Sequence, residues 1–414
     1  MVKRIYIALF TIFYFTFNEA ADRTILPDNN LYENMYSNIL RSNLIIDNID
    51  ASSGTPAIKS LAKAEARTFR AFDHFLAVNT FAKAYDPATA ATDGGVCVMD
   101  HYDLEATPAK ATVAQVYDFI IRELEESVSL LEEKPANIYH PNRAYGYGLL
   151  AQVYLFHRDW QKAKEAAEQS LALNASLVDY NVISAAGGVA RCKDYNRDNN
   201  PEVLSYMWMA SGWTNEQVVL YYYGMISPEL KGLFEANDLR YSLFLRDTGT
   251  SITNWFDTGS GAAIWTPPTT TERVTYMAVG LRTAEVYLTL AEALARLGNL
   301  AEATSYVNRL RANRLSGTET DIAVPATQVE MMQTIITERR KELLFGFHRF
   351  FDLKRFNLEP EYQKTITRVF PVVNISANFP QRTYTLRPDS RLYIIPFPHS
   401  ARDRNPNLTL NTDE

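Results

Sequence analysis

Residues 338–356 read ERRKELLFGFHRFFDLKRF, and this stretch decides how the fold is interpreted. Its many basic and phenylalanine side chains would suit an anionic partner, a membrane-lying helix or a piece of protein core. Glu338, Glu342 and Asp352 each lie within one helical turn of a basic residue. A nucleic-acid helix would not carry these acids, and a membrane helix would not place Asp352 among phenylalanines. The stretch therefore predicts a packed structural helix held by buried arginine–carboxylate pairs.

On a single helix, four apolar side chains of this stretch form one continuous stripe: Leu343, Phe347, Phe350 and Phe351. Arg349 and Lys354 flank Asp352. We therefore expect Arg349 and Asp352 to form a buried pair, so that loss of either side chain lowers thermal stability.

Composition describes an ordinary globular protein. The chain has 414 residues, of which 47% are hydrophobic and 21% charged, with a net charge of −7. This charge gives no overall basic field for nucleic acid or anionic lipid. The two cysteines, Cys97 and Cys192, have no CxxC spacing, which excludes a disulfide scaffold and a cysteine zinc site. The sequence leaves open whether these two residues form a single disulfide bridge.

The N-terminus carries a short apolar segment. Lys3 and Arg4 precede Ile5–Phe17, which is too short for the roughly 20 residues of a membrane-spanning helix. The pattern resembles a secretory signal, although Asn18 or Glu19 fits the cleavage rule badly and the aromatic residues also suit a buried strand. Residues 1–21 are thus interpreted as a possible signal or a truncated N-terminal segment.

Helical periodicity covers most of the remaining chain. It predicts helices over Asn30–Ile49 and Ile58–Tyr85, and a third helix capped by Thr112. That third helix is expected to bury one apolar face and to present an acidic set to solvent: Glu123, Glu125 and Glu126.

An internal repeat links Leu149–Ala167 to Thr289–Val307 at an offset of 140 residues. Each copy reads as helix, tight polar turn, helix, with alanines where the helices cross. This pattern is typical of tetratricopeptide hairpins, and Glu65–Tyr85 could supply part of a third. The alternative is an unrelated pair of antiparallel helical hairpins.

The amino-acid composition changes between residues 201 and 280. Four of the five tryptophans fall here, together with a run of three tyrosines: Trp208, Trp213, Trp255, Trp265, Tyr221, Tyr222 and Tyr223. Glycine, threonine and proline separate them, which predicts a loop-rich aromatic insertion or a simple irregular connection.

Catalytic signatures are weak. The six histidines are scattered singly, and the sequence has no HExxH, GxSxG, P-loop or GxGxxG pattern. Asp247 and Asp257 each begin an Asp-Thr-Gly sequence, but aspartic proteases take their two loops from separate lobes or subunits, and this tripeptide is also ordinary turn chemistry. No carboxylate pair stands out for glycoside hydrolysis. The sequence predicts no catalytic residues, no metal and no cofactor.

The opening stretch resembles the C-terminal signature of the SusD/RagB family, ERRxELxFEGxRFFDLxR. Twelve positions match: Glu338, Arg339, Arg340, Glu342, Leu343, Phe345, Arg349, Phe350, Phe351, Asp352, Leu353 and Arg355. Gly346 and Phe347 replace the family's Glu-Gly. Arg282–Arg314, the N-terminal helices and the closing segment from Arg391 are also similar to the family, in order.

The resemblance implies a mainly α, SusD-like fold with a tetratricopeptide-like helical-repeat scaffold. It divides the chain into an N-terminal helical region at 22–200, the insertion at 201–280 and a C-terminal region at 281–414, in one compact unit. It also implies a binding protein at the outer-membrane surface that captures oligosaccharides or peptides beside a SusC-like TonB-dependent transporter. The family's lipobox cysteine has no counterpart before Cys97. The alternative function is a helical-repeat scaffold for a protein partner.

Sugars stack their C–H faces on flat aromatic rings, so the insertion is the expected ligand surface. Trp208 reads as part of a buried strand. The five aromatic residues in irregular or alternating stretches are the candidate ligand contacts: Trp213, Trp255, Trp265, Tyr221 and Tyr223. The loop after Tyr85 is the next candidate.

Overall fold

The computed structural model describes residues 16–19, 30–188, 200–206, 225–247, 263–265, 280–344, 348–370 and 380–411. Helices dominate these ranges, in the order α1 (Asn30–Asn48), α2 (Pro56–Phe81), α3 (Val113–Ser127), α4 (Arg143–Phe156), α5 (Trp160–Leu173), α6 (Tyr180–Ala185), α7 (Pro228–Lys231), α8 (Leu239–Phe244), α9 (Thr283–Arg296), α10 (Leu300–Ala312), α11 (Gln328–Glu342), α12 (His348–Phe356) and α13 (His399–Arg404).

Short strands form three small antiparallel sheets between these helices. The strands are β1 (Val203–Ser205), β2 (Met225–Ile226), β3 (Leu245–Asp247), β4 (Ala263–Trp265), β5 (Leu281–Arg282), β6 (Ile366–Phe370) and β7 (Arg382–Leu386). Strand β1 pairs with β5, β4 lies between β2 and β3, and β6 pairs with β7. The mainly helical fold predicted from the sequence is confirmed.

The two repeat copies are two helical hairpins, α4–α5 and α9–α10. Asp159 and Asn299 are the N-caps of the second helices, and Ala163 and Ala303 are completely buried at the crossings. Helix α5 packs directly on α9, so each hairpin buries a face on the other. The predicted repeat is confirmed.

Helices α1, α2 and α3 pack on one another in sequence order. Thr112 caps α3, as the sequence predicts, and it forms a capping box with Gln115. The solvent-facing position expected for Glu123 is wrong. Its side chain is buried and accepts a hydrogen bond from Arg70 Nε at 2.9 Å, because an arginine on α2 neutralises it within the core.

The signature stretch is two helices. Helix α11 ends at Glu342 and α12 begins at His348, while Phe345–Phe347 lie outside the described residues. The expected single continuous helix is therefore wrong, although Leu343 and Phe351 are buried as predicted.

Asp352 makes its buried ion pairs with two other arginines of the signature. Arg339 donates from Nε at 2.8 Å and from Nη2 at 3.1 Å, and Arg355 donates from Nε at 2.9 Å. Arg355 also donates from Nη2 to the carboxylate of Glu292 on α9, at 2.7 Å. The pair expected between Arg349 and Asp352 is wrong, because the break after Glu342 places α12 so that Asp352 faces α11.

The remaining basic residues of the stretch have other partners. Arg340 lies near the surface and donates to Glu229 on α7 at 2.8 Å. Lys354 is buried and donates to the carbonyls of Asn79 and Ala82 at the end of α2, at 2.5 Å each. Arg349 is half-buried, and burial together with the nearby Arg340 lowers its pKa to about 10.

The main hydrophobic core extends from Met35 on α1 to Leu408 near the chain end and includes both hairpins. Division of the chain at residues 200 and 280 stays a prediction. Within the described ranges, no helix combines the length and the apolar character needed to cross a bilayer.

Candidate functional site

The two ends of the insertion lie side by side. Strand β1 enters the insertion and β5 leaves it, and the two strands pair antiparallel, with Val203 opposite Arg282 and Ser205 opposite Leu281. The backbone N–H of Thr283 donates to the carbonyl of Glu202 at 2.9 Å. The insertion therefore leaves the helical scaffold and returns to it at one place.

Glu202 fixes the entry strand. One of its carboxylate oxygens accepts hydrogen bonds from Arg314 Nη2 and from the N–H of Val178, both at 2.7 Å. The other oxygen accepts from Arg282 Nη1 at 3.2 Å. A single buried carboxylate thus joins the entry strand, the exit strand and the end of α10.

Glu342, the last residue of α11, fixes the exit strand. Its carboxylate accepts from Arg282 Nη1 at 3.1 Å, Arg314 Nε at 2.9 Å and Arg240 Nη1 at 3.3 Å, and its carbonyl accepts from Arg282 Nη2 at 3.0 Å. Arg314 is completely buried, with its guanidinium 4.1 Å from the ring centroid of Tyr180. Glu342 thus contacts both the insertion and the segment that follows the repeat.

The middle of the insertion is held by the preceding turn of α11. Arg240 contacts Asp238 at 2.7 Å and Glu338 at 2.9 Å. Lys341 contacts Glu338 at 2.7 Å and Glu235 at 2.8 Å.

We call this network the clasp. It contains five acidic and five basic residues: Glu202, Glu235, Asp238, Glu338, Glu342, Arg240, Arg282, Arg311, Arg314 and Lys341. Burial alone would raise the pKa of Glu342, but Arg314 and Arg282 outweigh it and hold that pKa well below its usual range. Each of the ten side chains has at least one partner of opposite charge, as buried charges require.

An apolar cluster supports the insertion beside the clasp. Ile226, Phe244 and Leu245 of the insertion pack with Tyr180 and Ile183 of α6. Strand β4 lies between β2 and β3, and the backbone of Trp265 pairs with that of Leu245. The three-stranded sheet is thus attached to the helical scaffold.

A cavity of about 370 Å³ opens where the insertion begins, between the α3–α4 connection, the end of α5 and β1. We call it the root pocket. Its lining combines an apolar set with amide and charged side chains: Pro135, Ile138, Leu173, Val203, Leu204, Glu133, Lys134, Asn137, Asn142 and Asn174. The N–H of Tyr206 donates to the carbonyl of Ile138 at 2.8 Å, which ties one wall to the insertion. Amides beside apolar surface suit the hydroxyls and C–H faces of a sugar.

The predicted ligand contacts lie mostly beyond this description. Trp213, Trp255, Tyr221 and Tyr223 are outside the described residues, and Trp265 is described for its backbone only. These five assignments stay predictions. Sequence reasoning missed the root pocket, because its lining residues come from three segments that show no shared pattern.

The Asp-Thr-Gly sequences lie at the edge of the described residues. Asp247 ends β3, and Asp257 is outside the description. His74 is a buried core histidine, with one ring nitrogen 2.8 Å from the carbonyl of Arg70 and the other accepting from the N–H of Met99 at 3.2 Å. The described residues contain no cluster of three or more histidine, cysteine, aspartate or glutamate side chains able to hold a metal ion.

Comparison with protein families gives two matches that together span most of the chain. Residues 191–413 match the SusD family. Residues 13–155 match a family described as starch-binding and associating with the outer membrane. A relative, SusD-like protein P2 of Formosa agariphila, is 28% identical over 355 residues, covering 76% of this chain and 67% of the relative.

Solved structures with the same fold come from Bacteroides. A SusD superfamily protein of B. thetaiotaomicron has a TM-score of 0.74 at 21% identity, covering 92% of this chain and 84% of its own. A SusD-like carbohydrate-binding protein of B. vulgatus has a TM-score of 0.68 at 22% identity, covering 91% and 83%. Surface glycan-binding protein A of B. uniformis has a TM-score of 0.68 at 17% identity, covering 97% and 88%.

Proposed function

Because the chain belongs to the SusD family, we propose that it captures a nutrient oligomer at the cell surface without altering it chemically. An oligosaccharide is the proposed ligand, and a peptide is the second candidate. The captured oligomer passes to a SusC-like TonB-dependent outer-membrane transporter. No cofactor takes part.

The observation that carries the proposal is that both ends of the insertion are attached to the helical scaffold at one place. Glu202 and Glu342 join both of its ends to the helical scaffold. The tryptophans and tyrosines predicted as ligand contacts all belong to this insertion.

A binding role also fits the chemistry of the charged residues. The carboxylates of the clasp are each paired with arginine or lysine side chains inside the fold, as in a structural network. We propose that the ligand is recognised by stacking and hydrogen bonding and is released intact.

Association with the outer membrane is supported by the family matched over residues 13–155. Partnership with the transporter is tested by purifying the protein from native membranes after mild solubilisation. The proposal expects a TonB-dependent transporter to be recovered with it. A protein found only in the cytosolic fraction would refute this part.

The ligand class is tested on an array of immobilised glycans and peptides. The proposal expects retention on one or more glycans and intact glycan afterwards. Retention on folded proteins alone would favour the second function, a helical-repeat scaffold for a protein partner.

A further inference from the structure

A second cavity is an open groove of about 470 Å³. One wall is α1, the floor is the connection over residues 97–108, and the other wall is α13 with the flanking residues Pro398 and Asn405. We call it the end groove. Its lining comes from both termini of the described chain and from the long loop after α2, whereas the root pocket lies at the start of the insertion. The two cavities share no lining residue.

Hydrogen bonds hold both walls of the end groove to its floor. The hydroxyl of Tyr36 on α1 donates to the carbonyl of Cys97 at 2.9 Å. On the same helix, Asn43 donates to the carbonyls of Met99 and His101 at 3.2 and 2.8 Å. From the other wall, Asn405 donates to the carbonyl of Pro108 at 2.8 Å. The groove is therefore a preformed feature, as ligand sites usually are.

The lining offers both apolar and hydrogen-bonding surface. Leu104 projects from the connection with 68% of its surface exposed. Tyr32 and Tyr36 stack with their ring centroids 4.4 Å apart, and burial raises the pKa of both phenols, so they stay neutral. Ser37 and Ser400 add hydroxyl groups on opposite walls.

The charge of the groove lining disfavours anionic ligands. Glu33 and Asp103 bring two carboxylates to the lining and Arg404 brings one guanidinium, all exposed, so the lining has a net charge of −1. The whole chain has a net charge of −7. Sulfated or uronic-acid glycans would meet like charge at the groove and around it. Vicinal hydroxyls, by contrast, can donate to the carboxylates and accept from the guanidinium.

A peptide is disfavoured for a different reason. Extended peptides bind through main-chain hydrogen bonds to an exposed strand edge. Here the walls are helices, and carbonyls of the connection are already used by side chains: Cys97, Met99, His101, Thr107 and Pro108. Recognition is left to side chains, which suits a ligand rich in hydroxyl groups.

We infer that the end groove is a second binding site, separate from the insertion, that takes a stretch of neutral oligosaccharide. This inference rests on the proposed function. Glu33 and Arg404 bind hydroxyl groups from opposite walls, and Leu104 packs on the C–H face of a sugar ring. A glycan held at two separate sites gains avidity without tighter contacts at either one.

The test compares a groove variant with a matched control. The groove variant carries Glu33→Ala and Leu104→Ala, both at exposed positions. The control carries Glu302→Ala, also an exposed acid in the first turn of a helix, and Leu130→Ala, an exposed leucine outside the groove. Both variants should keep the wild-type melting temperature.

Binding is measured on immobilised neutral, uronic-acid and sulfated oligosaccharides and on an oligolysine peptide. We expect retention on neutral glycans to weaken about tenfold in the groove variant, the effect of losing one charge-assisted hydrogen bond, and to stay unchanged in the control.

Other outcomes overturn the inference. Retention of anionic glycans alone, or of oligolysine, would indicate that the groove binds a different class of ligand. If the groove variant binds neutral glycans like wild type while Trp→Ala variants of the insertion lose them, the groove proposal fails and the proposed function stands. If the wild-type protein retains no glycan, both fail.

Discussion

Replacing Glu342 with glutamine tests the clasp at its centre. Its carboxylate accepts hydrogen bonds from Arg240, Arg282 and Arg314, and glutamine keeps the shape of the side chain while removing the charge. Removing one partner of a buried ion pair costs about 3–5 kcal/mol, because the buried positive charges then lose part of their compensation. We expect Glu342→Gln to lower the free energy of unfolding by this amount.

The expected change in melting temperature follows from the size of the chain. An unfolding entropy of about 2.1 cal/mol/K per residue gives about 0.9 kcal/mol/K for 414 residues. The melting temperature should therefore fall by about 3–6 °C in differential scanning calorimetry.

Asp352→Asn provides the matched control. Asp352 is equally buried and accepts from Arg339 and Arg355, but it lies outside the clasp. Both variants should lose stability, yet only Glu342→Gln should speed amide hydrogen exchange in β1 and β5, the strands that close the insertion. Arg349→Met should change the free energy of unfolding by no more than about 1 kcal/mol, because Arg349 is not the partner of Asp352.

Two results would refute the clasp. One is a Glu342→Gln protein that melts within about 1 °C of wild type. The other is faster exchange in β1 and β5 to the same extent in both variants, which would make it a consequence of global destabilisation alone.

Three further predictions concern pH, backbone strain and chemistry. Burial raises the pKa of Asp73 to about 7, against about 3.9 in an unfolded chain, so stability should fall as pH rises from about 4 to about 7. Urea unfolding of Asp73→Asn should lack this slope, and an equal slope in the variant would contradict the assignment. Gly298 has φ +84° with open space around it, so Gly298→Ala should cost about 1–2 kcal/mol by thermal melting, and an unchanged melting temperature would exclude strain at this turn. The protein should not hydrolyse labelled starch or casein, and turnover abolished by Asp247→Asn or Asp257→Asn would contradict a non-catalytic role.

Local patterns were enough to predict the helical scaffold. Ala163 and Ala303 are buried where the helices cross, as the repeat predicts, and the matching residues Asp159 and Asn299 stand at the N-caps of the second helices. The turns differ in one respect that sequence did not reveal. Arg158 has φ +68° where Gly298 stands in the second copy, and an ion pair to Glu359 at 2.9 Å accompanies this less favourable backbone.

Ion pairs between distant segments of the chain could not be predicted from the sequence. Glu123 reads as part of an exposed acidic face, because its partner Arg70 lies on another helix. Arg349 reads as the partner of Asp352, because spacing along one helix cannot reveal that Arg339 on α11 reaches the same carboxylate. Ion pairs between distant segments depend on how helices pack, and periodicity carries no information about that.

The candidate sites show the same limit. The aromatic composition of residues 201–280 drew attention to the insertion, and the ligand contacts within it stay predictions. The end groove joins Glu33, Leu104 and Arg404, which are far apart in the chain. The sequence suggested the loop after Tyr85 as a second candidate, but not the chain end that forms its other wall.

Calorimetric titration with a glycan identified on the array tests the central claim most directly. Wild-type protein should bind it with a Kd between about 1 μM and 1 mM, which suits capture followed by handover, and should leave it intact. Single variants Trp213→Ala, Trp255→Ala and Trp265→Ala should stay folded, and at least one should weaken binding by about 0.5–1.5 kcal/mol. A protein that binds no glycan, or one whose three variants all bind like wild type, would contradict the account of the insertion as the ligand surface.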